Sequence, residues 1–102
     1  MAKPRFIWDE NKNLSNQRKH GITFEDAISV FADPLHVMRQ DRIESGEHRW
    51  QTVGAAYGVT LLLIAHTITE EGPEGQLIEV IRLISARKAN KSERRRYETE
   101  ND

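Results

Sequence analysis

The last apolar segment of the chain, Ile78 to Ala89, carries charged groups where a strand is expected. It begins with a β-branched run typical of a buried strand, but Arg82 lies inside that run. Ser85, Arg87 and Lys88 follow just after it. A guanidinium within an apolar strand is unfavourable unless it meets an anion or a hydrogen-bond acceptor. The segment therefore predicts either a phosphate site or an ion pair between Arg82 and an acidic neighbour on the sheet.

Two further places offer acid–base chemistry. Glu47 and Arg49 are two residues apart, so both point to one face of an extended strand. Glu47 can then act as a base while Arg49 holds a phosphate, although a cross-strand salt bridge explains the pair equally well. His66 ends the apolar run that begins at Leu61, and partial desolvation there suits a general acid or base. The alternative for His66 is a histidine that is hydrogen-bonded at the end of a strand.

The sequence contains none of the common metal or nucleotide motifs. It has no cysteine, and its four histidines show no His-x-x-x-His spacing. Walker, glycine-rich nucleotide and Ser/His/Asp hydrolase patterns are also missing. We therefore expect no metal and no cofactor. For an RNA substrate, this leaves attack of the ribose 2′-hydroxyl on the adjacent phosphate, assisted by a base, an acid and arginines.

Charge is unevenly distributed along the chain. Residues 1–20 carry five Lys or Arg and two acids, residues 21–81 carry three and ten, and residues 82–102 carry seven and four. If the two ends meet in the fold, they form a basic face on a chain whose net charge is −1. Such a face favours RNA or another polyanion as the partner. The alternative is that these charges belong to helices exposed to solvent and bind no partner.

The hydrophobic pattern predicts an α+β domain. Strands are predicted at residues 6–8, 36–41, 48–57, 59–68 and 77–85. Helices are predicted at residues 10–20, with Asp9 as N-cap and Leu14 as the main apolar contact, and from Phe24 to a stop at Asp33-Pro34. A capping box at Asn90 opens a third helix over residues 91–98. Strands joined by short turns favour an antiparallel sheet with helices packed on it, and we expect residues 1–102 to form one domain.

Neither end of the sequence nor its apolar runs suggest a membrane. The longest apolar run, Val59 to Ala65, has the length of a strand and not that of a membrane span. The first residues lack the apolar segment of a signal peptide. We therefore expect a cytoplasmic protein without a membrane partner.

Taken together, the motifs resemble those of the BrnT toxin family. The resemblance runs in register from residue 6 to residue 98. It is carried by residues 6–12, 19–25 and 82–89, and by the motifs Val30-Phe31-x-Asp33-Pro34, Glu47-x-Arg49-Trp50 and His66-Thr67. It implies a RelE-like ribonuclease fold, with an antiparallel sheet, two N-terminal helices and one C-terminal helix.

The resemblance also implies a function and partners. It implies the toxin of a type II toxin–antitoxin pair, which cleaves RNA and inhibits translation. The implied antitoxin is a BrnA-like protein whose ribbon-helix-helix domain binds operator DNA, so that the toxin reaches DNA only through it. The implied neutralised assembly contains two toxins and two antitoxins.

We thus expect a metal-independent endoribonuclease with a defined set of site residues. The predicted catalytic residues are Glu47, Arg49, His66, Arg82 and Arg87. The predicted RNA contacts are Lys19, His20, Ser85 and Lys88, although Lys19 and His20 are most simply favourable charges at a helix end. The alternative function is a non-catalytic protein-interaction subunit of a DNA-binding repressor complex.

Overall fold

The computed structural model describes residues 3–101, and within them three helical segments surround five strands. In chain order the elements are β1 (Arg5–Ile7), α1 (Glu10–His20), α2 (Phe24–Ala27) with a 3₁₀ helix that continues it (Ile28–Ala32), β2 (Val37–Glu44), β3 (Glu47–Ala56), β4 (Thr60–Glu71), β5 (Ile78–Lys88) and α3 (Lys91–Glu100). The predicted α+β class, with two N-terminal helices and one C-terminal helix, is confirmed. Strand β4 continues past its predicted end because Thr69 still pairs with Val80.

The strands form one sheet in the order β1-β5-β4-β3-β2. Strands β2 to β5 are antiparallel, while β1 lies parallel to β5 with Phe6 beside Ile81. The first and last strands of the chain are therefore neighbours. Helix α1 packs against β5, whereas α3 packs against β3 and β2, so the basic residues of these two helices lie against different strands.

One face of the sheet, which we call the helical face, packs against α2 and the 3₁₀ helix. Phe24, Ala27 and Val30 are fully buried there against strand residues. Ile28 and Phe31 pack against the same core but are only partly buried. The reason is that the helix tightens to 3₁₀ geometry after Ala27, which changes the rotation per residue and turns Val30 towards the core.

Gly54 allows the 3₁₀ helix to approach β3 closely. A Cβ atom at this position would lie 2.8 Å from Cγ1 of Val30 and 3.1 Å from Cβ of His36. The absence of a side chain at Gly54 therefore permits this close packing. Because the contacts come from packed side chains, a larger residue here would push the 3₁₀ helix away from the sheet.

Helix α1 docks through asparagines and not through Leu14. The Leu14 side chain is exposed, whereas Asn13 and Asn16 are buried. The Asn16 amide donates to the carbonyl oxygen of Ala86 at 2.8 Å and its oxygen accepts from the Ala86 N–H at 3.0 Å. Asn13 accepts from the N–H of Phe24 at 2.8 Å. The expectation that Leu14 is the main contact was wrong, because this helix is attached by hydrogen bonds to backbone groups that would otherwise be unpaired.

Helix α3 covers part of the opposite face of the sheet. It begins with the predicted capping box, in which Asn90 and Glu93 each bond the other's backbone N–H. Tyr97 packs against Val53 and donates its hydroxyl hydrogen to Asp33 at 2.8 Å. We call the part of this face that α3 leaves uncovered the open face. None of the helices within residues 3–101 is both long and apolar enough to cross a membrane.

Candidate active site

Three side chains form a row across the middle of the open face. Thr67 of β4 lies opposite Arg82 of β5. On the other side of β4, Trp50 of β3 pairs with His66. Because these strands are antiparallel, the residue before Trp50, which is Arg49, lies beside the residue after His66, which is Thr67. Arg49 and Arg82 therefore lie on either side of one threonine, on three adjacent strands, at positions whose side chains share a face.

Both guanidinium groups converge on the carboxylate of Glu47. Nη2 of Arg82 lies 2.8 Å and 2.7 Å from the two oxygens of Glu47. Nη2 of Arg49 lies 3.4 Å from Oε1 of the same carboxylate. The exposed fractions of the side chains are 20% for Arg49, 33% for Arg82 and 45% for Glu47. The arrangement thus places one oxyanion between two arginines while leaving it open to solvent on one side.

One donor of this cluster has no acceptor. Nε of Arg49 is buried and makes no hydrogen bond within the described part of the chain. An unpaired buried donor is unfavourable by about 1–3 kcal/mol. A second anionic oxygen on the open face would favour a rotation of Arg49 that pairs this nitrogen, so the cluster has unused capacity to bind an anion.

Smaller side chains form the next row of the open face. Gln51 of β3 lies opposite Ala65 of β4, which lies opposite Ser85 of β5. All three are partly buried. A bulge interrupts the β4–β5 pairing between Ala65 and His66 and leaves Ile84 without a partner in the ladder. We call this row, which lies between the cluster of Arg49, Arg82 and Glu47 on one side and α3 on the other, the trough.

Arg87 borders this trough but is held by α3. Its two terminal nitrogens each lie 2.8 Å from an oxygen of Glu93. The hydrogen bonds that Arg87 donates to Glu93 raise the pKa of Arg87 above its ordinary value. Burial alone would raise the pKa of Glu93, but the hydrogen bonds from Arg87 and from the Asn90 N–H outweigh it and lower that pKa. Arg87 therefore fixes the start of α3, with its side chain 37% exposed at the rim of the trough.

His66 lies apart from the cluster, on the helical face. It is completely buried, and its ring packs edge-on against Phe31 with centroids 5.1 Å apart. Nδ1 lies 3.2 Å from the carbonyl oxygen of Thr67, which can only accept, so Nδ1 carries the hydrogen. Nε2 then accepts from the hydroxyl of Thr52 at 2.7 Å.

This environment keeps the His66 ring neutral. Burial lowers the pKa of His66 to about 4, and the nearby His36 adds to the lowering. The Thr67 carbonyl acts in the opposite direction but does not compensate. The structure does not bring His66 to Glu47, Arg49 and Arg82, and its geometry matches the hydrogen-bonded histidine that the sequence left as the alternative.

The predicted RNA contacts divide into two groups. Ser85, Lys19 and His20 meet in a groove of about 260 Å³ between α1 and β5, together with Lys12. This groove lies at the edge of the sheet where Ser85 ends the row of small residues. Lys88 lies elsewhere, beside the turn at Tyr57 that joins β3 to β4.

The family model described as "Ribonuclease toxin, BrnT, of type II toxin-antitoxin system" matches residues 8–93. The chain belongs to the BrnT family. No curated protein matches this chain.

A solved structure supports the same fold for this BrnT chain. The crystal structure of the Brucella abortus ribonuclease toxin BrnT superposes with a TM-score of 0.57 at 23% sequence identity. The match covers 87% of this chain and 100% of the Brucella chain. Family membership makes this chain a ribonuclease toxin of a type II toxin–antitoxin system and implies a cognate antitoxin as partner.

Sequence reasoning did not select three residues of the BrnT site. It did not select Thr67 as the centre of the arginine row, because the signal lies in the register of three strands. It did not identify Gln51 and Ala65 as the floor of the trough, since small and neutral side chains carry no chemical signature. The alternation of β3 does place Gln51 on the face of Glu47 and Arg49, and that spacing is a signal that was available.

Proposed function

We propose that this BrnT chain is an endoribonuclease that cleaves RNA at the cluster of Glu47, Arg49 and Arg82, without a metal ion, and thereby inhibits translation in the cytoplasm. The observation that carries the proposal is the convergence of two arginines on one carboxylate on an open sheet face. Such a pair of guanidinium groups is suited to a phosphate, whose oxygens accept forked hydrogen bonds in the same way as a carboxylate.

In the proposed reaction, an RNA phosphate takes the place of Glu47 between the two arginines. The carboxylate, now free, accepts the proton of the adjacent 2′-hydroxyl. The 2′ oxygen forms a bond to phosphorus, the bond from phosphorus to the 5′ oxygen breaks, and solvent protonates the departing 5′ oxygen. The products are a 2′,3′-cyclic phosphate and a 5′-hydroxyl.

Arg49 and Arg82 stabilise the extra negative charge on the phosphate oxygens in the transition state. Groups placed in this way typically contribute about 10²–10³ in rate each. Arg87 and Ser85 contact the neighbouring backbone from the rim and the floor of the trough, and Lys19 and His20 extend the cationic surface along α1. His66 supports β4 from the buried side and takes no part in proton transfer, because it is shielded from solvent and from the cluster.

For the partner, we propose a BrnA-like antitoxin with a ribbon-helix-helix domain, in an assembly of two toxins and two antitoxins. Operator DNA is then contacted by the antitoxin and not by this chain. Neutralisation requires that the antitoxin cover the open face or hold it away from RNA, and acidic side chains suit that surface.

The test is cleavage of a defined RNA by the purified chain in EDTA, followed by analysis of the product ends. We expect cleavage to persist and the upstream fragment to end in a 2′,3′-cyclic or 3′-phosphate. Products that end in a 3′-hydroxyl, or activity that returns only with added magnesium, would contradict the mechanism. Absence of cleavage by a chain that still binds its antitoxin would favour the non-catalytic interaction subunit.

A further inference from the structure

A second cationic groove borders the trough on the side of α3. It has a volume of about 400 Å³ and is lined by Arg39, Ser92, Arg95, Arg96, Thr99 and Glu100. The five α3 positions are spaced 3, 1, 3 and 1 residues apart, so they form one flank of the helix. Arg94 lies on the other flank, where it lines a hollow with Val59. Helix α3 thus presents two arginines to this groove and one away from it.

The groove lies next to the proposed active site. Arg39 of β2 lies opposite Gln51 of β3, which belongs to the row of small residues in the trough. Gln51 is two residues from Arg49 on the same strand and the same face. One strand spacing and two residue rises place the backbone of Arg39 roughly 8 Å from that of Arg49. This distance suits a phosphate that is near the one between Arg49 and Arg82 but separate from it.

The arginines of the groove are available to a ligand. Within residues 3–101, none of Arg39, Arg95 and Arg96 makes an ion pair, whereas Arg49, Arg82 and Arg87 all do. Among residues 3–101, Glu100 lines the groove against three guanidinium groups, and Arg96 also lies near enough to Glu93 to help lower the pKa of that carboxyl. The cations still outnumber the acid in this recess, so a further anion among them would relieve their repulsion.

We propose that this groove is a phosphate-binding subsite that holds the RNA backbone beside the scissile position. The inference rests on the proposed function and adds to it the path of the substrate, which runs from the cluster of Arg49 and Arg82 across Gln51 to the flank of α3. None of the described residues that line the groove is aromatic, so they offer no surface on which a base can stack, and the proposed contribution of the groove is to backbone affinity and not to base preference.

The experiment uses oligonucleotides that contain a single ribonucleotide in a DNA chain, so that each can be cleaved at one bond only. One substrate is short, and two others are extended on the 5′ or the 3′ side of that bond. We expect extension on one side to raise kcat/KM for the unaltered chain. Arg39→Ala, Arg95→Ala and Arg96→Ala should each reduce that gain by about tenfold while leaving the short substrate unaffected. Arg94→Ala, on the other flank of α3, is the matched control and should behave like the unaltered chain.

Binding of a non-cleavable 2′-O-methyl RNA keeps the subsite testable if no substrate is cleaved. Each lost phosphate contact should reduce the slope of log affinity against log salt by about 0.7. If the unaltered chain cleaves nothing but the groove variants lose this affinity and slope, the proposed function fails and the subsite stands. If the variants match Arg94→Ala in both assays, the subsite is overturned. Variants that weaken antitoxin binding but not RNA binding would also overturn it and assign the groove to the protein partner.

Discussion

Nη2 of Arg82 lies within 2.8 Å of both carboxylate oxygens of Glu47, a residue 35 positions earlier in the chain. The two residues are on strands separated by β4, so their contact crosses over that strand. Because both side chains are partly exposed, the ion pair itself contributes only about 0.2–1 kcal/mol to folding. Its position is therefore better explained by what the two groups do on the open face than by stability.

Arg82→Ala separates these two explanations. We expect cleavage to fall by about 10²–10³, because one of the two groups that stabilise the charged phosphate is lost. The free energy of unfolding should fall by less than about 1 kcal/mol. Cleavage rates and urea unfolding of the same preparation measure both quantities. Arg5→Ala removes another exposed arginine–glutamate pair, with Glu71, and should alter neither substantially. A large loss of stability in Arg82→Ala would assign the pair to folding.

Glu47→Gln tests the carboxylate as the proton acceptor. Glutamine keeps the size of the side chain but cannot accept the proton of the 2′-hydroxyl, so kcat should fall by about 10²–10⁴. Affinity for non-cleavable 2′-O-methyl RNA should rise, since Arg49 and Arg82 then lack their internal anion. Fluorescence anisotropy and single-turnover cleavage provide the two measurements. Weaker RNA binding by this variant would mean that Glu47 chiefly positions the arginines.

His66 predicts a loss of stability in mild acid. Its pKa is about 4 in the folded chain and about 6.5 when unfolded, so the unfolded state binds the proton first as the pH falls. Stability should be complete above pH 6.5 and decrease towards pH 4 by about 3 kcal/mol. Urea unfolding at several pH values measures this slope. His66→Gln removes the titrating group and should flatten it, and an unchanged slope would show that another group is responsible.

Asn16→Ala tests how α1 is attached to the sheet. The substitution leaves the N–H and carbonyl of Ala86 and the carbonyl of Ile22 without their partner. We expect the free energy of unfolding to fall by about 3 kcal/mol, because unpaired buried polar groups are unfavourable by about 1–3 kcal/mol each. Leu14→Ala, two residues away on the exposed side, should stay within about 0.5 kcal/mol of the unaltered chain. Equal effects of the two substitutions would contradict this account.

The sequence predicted the elements well because their signals are local. Asp9 caps α1, Gly21 ends it in the left-handed conformation with φ at 71°, and Asn90 opens α3, all as the residue types indicate. The attachment of α1 was not predictable in the same way. Asparagines that bond the backbone of a distant strand leave no hydrophobic period, so the pattern gave weight to Leu14 instead.

The candidate site depended on register, which the sequence does not encode locally. Glu47 and Arg49 share a face by spacing alone, but Arg82 joins them only because β4 aligns Thr67 between the two outer strands. The β4–β5 register shifts between Ala65 and His66, and this bulge interrupts the alternation of side chains along β5. Arg82 and Ser85 therefore share a face although they are three residues apart. His66 is separated from the site because alternation along β4 sends it to the opposite face from Thr67, into a pocket formed by Phe31 and Thr52.

The hydrogen bonds between Asn16 and Ala86 also affect which edge of the sheet can accept a further strand. At the β1 end, the border consists of a three-residue strand, and an asparagine occupies the backbone groups of β5 beyond it. At the other end, the eight residues of β2 form a border with no neighbouring strand among residues 3–101. A second copy of the chain therefore has a single long edge, β2, against which it could add a strand. Two molecules that pair through β2 leave no further long edge exposed. A pair of molecules joined through this edge would be closed and could not extend into a filament by adding strands.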